Sequence, residues 1–289
     1  MRIVDCVQYT PEWFLARKGF PTASCADKII TPTGKLSSQA FGYICELLAD
    51  VSVPGPVVPI KFVSPSMVAG SLLEPQARAF YVFDRNTEVK EVGFCIHDSG
   101  RYGCSPDALV GDDGLLQIKC PEAKTHIAYL LKGEMPPDYL PQVHMELFVT
   151  GRNWLDFLSY RHGFDSFVIR VTPNDYTKKV GEALEAFWVD YSKAWKRIFP
   201  GKEIKLADGK PNANGYVNRE TRLEHKRDCR IGLFCKPRLQ SHPDFYEPSG
   251  TIIAVHASGE GGVVDPDGVL LIQRGDRTFL AAAGEWITA

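Results

Sequence analysis

Two rhythms of apolar and polar positions run along this chain, and the change from one to the other lays out its elements. Helical spacing opens over 10–18 (TPEWFLARK), where Thr10 fits an N-cap and Pro11 the first helical position. A short helical stretch follows Thr22-Ala23-Ser24, and 37–49 (SSQAFGYICELLA) reads as an amphipathic helix before the breaker VSVPGPVVP. Residues 66–83 read as a long helix in which Pro75 either starts a second part or makes a kink. The rhythm then shortens. TEVKEVGFCIH, RYGCSPDALVG and GLLQIKC read as a three-strand meander, the last two joined by the hairpin-like turn Gly111-Asp112-Asp113-Gly114. Helices are expected near 122–132 and 138–150, strands over NWLDFLSYR and SFVIRV, and a closing helix over 173–199. Trp188, Tyr191 and Trp195 recur there at helical spacing, which fits a core stripe better than a base-stacking platform. The order of elements predicts an α/β sandwich on a mixed central sheet flanked by helices.

The texture changes after Pro200. GKEIKLADGKPNANG reads as a linker, and 250–289 carries short apolar runs between glycines, as in a small β unit. The expected division is therefore 1–205 as the main domain and 206–289 as an extension. Within the extension, Arg219, Arg222, Lys226, Arg227, Arg230, Lys236 and Arg238 are interleaved with Glu220, Glu224 and Asp228. That mixture is expected of a solvated helix face, with an auxiliary DNA contact as the sharper alternative.

Composition narrows the class. With 44% hydrophobic and 24% charged residues the chain is globular, and a net charge of −2 means that any nucleic-acid surface must be a local cluster. No run is long and apolar enough to span a bilayer, and MRIVDCVQYTPEW lacks the features of a signal peptide. Most of the eight cysteines are therefore expected as reduced thiols in a cytoplasmic protein. Cys229 and Cys235, near His225 and His242, match no standard zinc-finger spacing, and the absence of a C-x-x-C argues against an iron–sulfur cluster. His126 and His144 lack a metal-ligand partner and read as ordinary histidines.

Chemistry concentrates in SPDALVGDDGLLQIKCP, 105–121. Gln117 and Lys119 are two apart in a strand and share a face, and the hairpin can bring Asp107 beside them. A carboxylate, an amide oxygen and an ammonium so grouped suit phosphodiester hydrolysis with a hard, oxygen-ligated cation. Taken singly these residues have plainer explanations: a turn aspartate after proline, a strand lysine, and for Glu74 a charge near a helix start.

Taken together they resemble the PD-(D/E)xK nucleases. SPDALV…GLLQIKCP is similar to the SPDGLV…LLEIKCP of the lambda exonuclease and YqaJ viral recombinase family. Gln8, Glu12-Trp13, Arg17, Gly19 and Thr22-Ala23-Ser24 resemble its N-terminal motif; Glu74-Pro75, Ala77-Arg78 and Tyr81 its E-P-x-A-R…Y helix; Tyr139 and Gln142 its Y…Q stretch. The resemblance covers residues 1 to about 200. It implies a restriction-endonuclease-like core in which Asp107, residue 117, the Ile118 carbonyl and Glu74 hold Mg²⁺ (Mn²⁺ substituting). Lys119 would serve the attacking water, Arg17, Ser24 and Ser105 a terminal 5′-phosphate, and Gln142 with Tyr139 would support the site. It further implies digestion of one strand of linear double-stranded DNA from 5′ to 3′, a ring-shaped homotrimer, and a single-strand annealing partner of phage or prophage origin. Gln117 departs from the pattern, which has Glu there. Three readings stand: a Glu→Gln change introduced to trap a DNA complex, a natural variant of the motif, and loss of catalysis with DNA-end binding retained. A structure-specific or restriction-type endonuclease is the other enzymatic alternative.

Overall fold

The computed structural model describes residues 1–53, 55–56, 65–204 and 206 (side chains from residue 70 in the helix that starts at Pro65), and the backbone of four strands between 253 and 282. Six helices are described: α1 (Pro11–Arg17), α2 (Ala40–Ser52), α3 (Pro65–Arg85), α4 (Ala123–Lys132), α5 (Leu140–Thr150) and α6 (Asp175–Ile198). Thr10 caps α1 as expected, its side chain accepting from the Trp13 N–H. α2 begins later than its serines suggest, and α3 runs as one helix through Pro75. Asn174 and Thr177 close a reciprocal capping box at the start of α6.

The central sheet has the order β2-β5-β6-β7-β8, with β2 (Val89–Lys90), β5 (Ala108–Val110), β6 (Gly114–Lys119), β7 (Trp154–Ser159) and β8 (Phe167–Val171). β6 and β7 run parallel and the other neighbours antiparallel, so the sheet is mixed. A second sheet, β1-β3-β4, joins Arg2–Val4, a strand the hydrophobic pattern does not predict, to Phe94–Ile96 and Gly103–Cys104. The expected meander is therefore divided between two sheets, a correction to the sequence reading. Its register survives the division. Val89 lies opposite Val110, and six residues further along each strand Cys95 lies opposite Cys104. The two strands stay paired but splay open around Val92 and Pro106, where proline offers no N–H to a ladder. The carbonyls freed there are taken by the N-terminal segment. Gln8 donates its amide to both Val92 (2.9 Å) and Pro106 (3.0 Å), and the Trp13 indole N–H donates to Gly93 (3.0 Å). Gly93 is glycine for space, because a Cβ there would lie 2.0 Å from the Cys6 carbonyl.

Strand alternation assigns the two faces of the central sheet. Leu109, Leu115, Leu155 and Phe157 pack into one core with α2, α5 and α6, including Tyr191, Trp195 and the half-buried Trp188 of the aromatic stripe. Ala108, Val110, Leu116, Ile118 and Leu158 pack on the other side with Ala77 and Tyr81 of α3. Asp156 ties that helix down: buried in β7, it accepts from Tyr81 (2.8 Å) and from the Arg170 fork of β8 (2.8 and 2.9 Å). Gly70 lets α3 approach the end of β6, since a Cβ there would sit 3.1 Å from the Cys120 carbonyl.

Contacts divide the chain into one unit of Met1–Val57 with Gly70–Gly215 and another of Val58–Ala69 with Tyr216–Ala289. The second unit's described strands, β9 (Ile253–Val255), β10 (Gly261–Val264), β11 (Val269–Arg274) and β12 (Arg277–Ala282), form an antiparallel sheet in sequence order. The basic segment and the Cys229, Cys235, His225, His242 group lie outside the described residues. Cys6, Cys25, Cys45, Cys95, Cys104 and Cys120 are free thiols. Among the described residues no helix is long and apolar enough to cross a membrane.

Candidate active site

Asp107 stands where the splayed strands re-enter the central sheet, between β4 and β5. Its backbone N–H donates to the Leu116 carbonyl (3.1 Å), which fixes it against β6. Its Oδ2 accepts from the Ile118 N–H (2.5 Å) and from the Gln117 amide (2.7 Å). The hairpin thus brings together Asp107, Gln117 and Ile118 as the sequence spacing requires. Desolvation pushes the Asp107 carboxyl up to about 6; the Lys119 charge works against that shift and the Glu74 charge adds to it. Lys119, two residues beyond Gln117, holds its ammonium 5.2 Å from the Tyr139 ring centre.

Glu74 comes from α3. It is bound to Arg78 (2.7 Å), which also pairs with Glu91 (2.9 Å), so its charge acts on Asp107 but is already partnered within its own helix. Among the described residues no three His, Cys, Asp or Glu side chains converge as a ready metal cage. Oxygen donors at the strand pair are the Asp107 carboxylate, the Gln117 amide and the Ile118 carbonyl, a set suited to a hard cation that keeps several waters.

Gln142, on α5, reaches the same point. Its amide nitrogen lies 3.1 Å from Gln117 Oε1 and 2.9 Å from Glu146 Oε1. Glu146 is a residue that the sequence reading passes over. It is 1% exposed, its Oε2 has no hydrogen-bond partner, and burial pushes its carboxyl up to about 8, Asp107 adding to the shift while Gln142 and Lys119 oppose it. An available signal was an acid set among Val143, Met145, Leu147 and Val149, one helical turn from Gln142. His126 and His144 are both buried and hydrogen-bonded, to Ser159 (2.8 Å) and Thr177 (2.8 Å), as ordinary structural histidines are.

A second cluster forms around Trp13. The Arg17 guanidinium lies 3.9 Å over its ring and donates to Ser24 Oγ (2.9 Å) and Thr22 Oγ1 (3.4 Å). The Trp13 indole N–H also donates to Ser105 Oγ (2.9 Å). Ser105, distant in sequence, is thereby joined to the Arg17–Ser24 pair by an indole that no motif spacing reveals as the link. Arg17 forms no salt bridge among the described residues, and burial lowers its pKa. A half-buried guanidinium beside two hydroxyls has the donor chemistry that a phosphate or carboxylate fits. Tyr9 lies between the clusters, its ring 5.1 Å from Trp13 and its backbone at φ 64°, a conformation that bulky residues adopt only when their surroundings impose it.

The YqaJ-like viral recombinase domain matches residues 12–153. The crystal structure of an alkaline exonuclease from Laribacter hongkongensis is 33% identical, with a TM-score of 0.58 over 65% of this chain and 96% of that one. The chain belongs to the YqaJ-like family of PD-(D/E)xK nucleases. A structure of the same Laribacter protein in complex with dAMP matches with a TM-score of 0.57 and 33% identity, covering 65% of this chain and 97% of that one. No curated protein matches significantly. The family match takes in the hairpin bearing Asp107 and Lys119 and the helix bearing Gln142; it ends before β7, so β7, β8, α6 and the C-terminal sheet lie outside it.

Proposed function

We propose that this chain is a metal-dependent exonuclease that digests one strand of linear double-stranded DNA, from a 5′-phosphorylated end toward the 3′ end. It would leave 3′ single-stranded tails for recombination. The observation that carries the reading is the placement of Ser105 and Asp107 two residues apart on the segment that joins β4 to β5. Ser105 belongs to the Arg17–Trp13–Ser24 cluster and Asp107 to the Gln117–Lys119 cluster. Two residues of chain span at most about 7 Å, roughly one nucleotide step. An anion site and a hydrolytic site one step apart suit removal of a single terminal nucleotide, in keeping with the dAMP in the Laribacter complex.

Asp107, residue 117 and the Ile118 carbonyl would hold Mg²⁺, or Mn²⁺ in its place, with Glu74 adding negative charge from α3. Bound there, the ion supplies a water of lowered pKa and neutralises charge on the phosphate. The chain's own groups do the rest. Arg17, Ser24 and Ser105 hold the terminal phosphate and set the register of the strand. Lys119, steadied by the Tyr139 ring, orients the water and offsets charge developing on the scissile phosphate. Gln142 props the Gln117 amide. These are phosphate contacts, so little base specificity is expected. Family likeness supports a homotrimer around the DNA and a single-strand annealing partner.

Gln117 itself favours the second reading, a DNA-end-binding recombination protein without catalysis. The test is digestion of a 5′-phosphorylated linear duplex against a closed circle, with Mg²⁺ and with excess chelator. Mg²⁺-dependent loss of nucleotides from the linear form alone is expected. Cutting of the circle would make the protein an endonuclease, and end binding without digestion at any Mg²⁺ or Mn²⁺ concentration would leave the scaffold reading.

A further inference from the structure

Gln117 leaves the site one negative charge short of its family's pattern, and the structure places a buried carboxylate at that gap. We propose that Glu146 is the site's second acidic metal ligand, carried on α5 in place of the strand carboxylate that Gln117 replaces. The inference rests on the metal-dependent reading above.

Strand alternation supplies the first argument. Gln117 has the same parity in β6 as Leu115, whose side chain packs in the core that contains Val143, Met145 and Leu147 of α5. The residue where the family has its Glu therefore faces the helix that carries Glu146. The link between them is short. One amide nitrogen of Gln142 serves both Gln117 Oε1 and Glu146 Oε1, so those two oxygens are no more than about 6 Å apart, the sum of the 3.1 and 2.9 Å bonds.

The second argument is the state of the carboxylate itself. Glu146 is 1% exposed, forms no salt bridge among the described residues, and keeps Oε2 without any hydrogen-bond partner. A buried carboxylate oxygen without a partner is among the more costly groups a fold can hold. An acid kept only for packing would have its second oxygen satisfied, as Asp156 does with Tyr81 and Arg170 in the same sheet. A hard cation beside Asp107 is the partner that such an oxygen fits. Gln142 then acts as a positioning residue. By donating to Glu146 Oε1 it leaves Oε2 as the oxygen free for the ion.

A charge-swap series tests this. Mn²⁺ binding is measured by calorimetry and by electron paramagnetic resonance, without DNA, on the full chain and on Glu146→Gln, Gln117→Glu and the double variant. Glu146→Gln should bind Mn²⁺ at least about 10- to 100-fold more weakly, and its melting temperature should rise less than the parent's at the same Mn²⁺ concentration. Because it exchanges a buried carboxyl with an unpartnered oxygen for an amide of the same shape, the ion-free variant should melt no lower than the parent. The double variant, with the carboxylate returned to the strand, should regain Mn²⁺ binding. Unchanged Mn²⁺ affinity in Glu146→Gln, or no recovery in a folded double variant, overturns the proposal. Mn²⁺ binding that depends on Glu146 in a chain that digests no DNA end upholds the ligand and overturns the nuclease reading instead.

Discussion

At the scale of single residues, the proposed anion site depends on one planar cation. Arg17 is stacked on Trp13 and donates through one end of its fork to Ser24 and Thr22, which orients the remaining N–H groups. A lysine has neither the plane to stack nor the fork to share between two oxygens. Arg17→Ala should therefore abolish the preference for a 5′-phosphate over a 5′-hydroxyl end, and Arg17→Lys should keep only part of it. The check is the ratio of initial digestion rates on the two substrates. A ratio that stays high in Arg17→Ala would remove Arg17 from end recognition. The same cluster shows how far a motif can be read. Arg17, Ser24 and Ser105 were visible as members of a pattern, but the indole joining them stands 92 residues from Ser105 in sequence, and only the fold creates that contact.

Individual elements are held in place by polar ties across the sheet. α3 brings Glu74 toward the site, and its attachment runs through Tyr81 to Asp156 and on to Arg170, whose guanidinium also lies 3.7 Å over the Trp154 ring. Removing the central carboxylate leaves a buried hydroxyl and one face of a guanidinium unpartnered. Asp156→Ala should cost about 3 kcal/mol of stability, measured by denaturant unfolding, with a midpoint shift far larger than that of an exposed control such as Asp190→Ala. A change below about 0.5 kcal/mol, within the range of ordinary surface substitutions, would mean that the tie does not hold the helix. Hydrophobic rhythm located α3, β7 and β8 in the sequence. It carried no information on this tie, because a lone Asp in an otherwise apolar strand reads equally as an edge residue or a buried one.

For the molecule as a whole, charge is arranged locally. The net charge of −2 gives no long-range attraction to DNA, so the affinity that the proposed function needs is expected from local clusters of contacts. End binding measured in a chelator-treated sample should weaken with salt along a shallow slope, about 0.9 in log–log terms for each phosphate engaged. A steep slope, on the order of 10, would point to a long basic track and shift attention to the basic segment of 217–242, which lies outside the described residues.

Local pattern determined the parts that depend on neighbours in the chain. Helix spans, the strand run from 87 to 119, and the placement of Gln117 and Lys119 on one face follow from periods of 3.6 and 2, which each segment carries in itself. Register within the hairpin was equally local: the short turn at Gly111-Asp112-Asp113-Gly114 sets Ala108 opposite Leu116 and so brings Asp107 to Ile118. Tertiary structure decided what depends on which surfaces meet. The long hairpin splays between two sheets because Gln8 and Trp13 take up carbonyls that a continuous ladder would have paired. Glu146 is linked to Gln117 through Gln142 because α5, rather than another helix, covers that face of β6. No period along the chain encodes the choice, since the free energy that makes it comes from burying one apolar surface against another, and that sum is defined only once the whole fold is assembled.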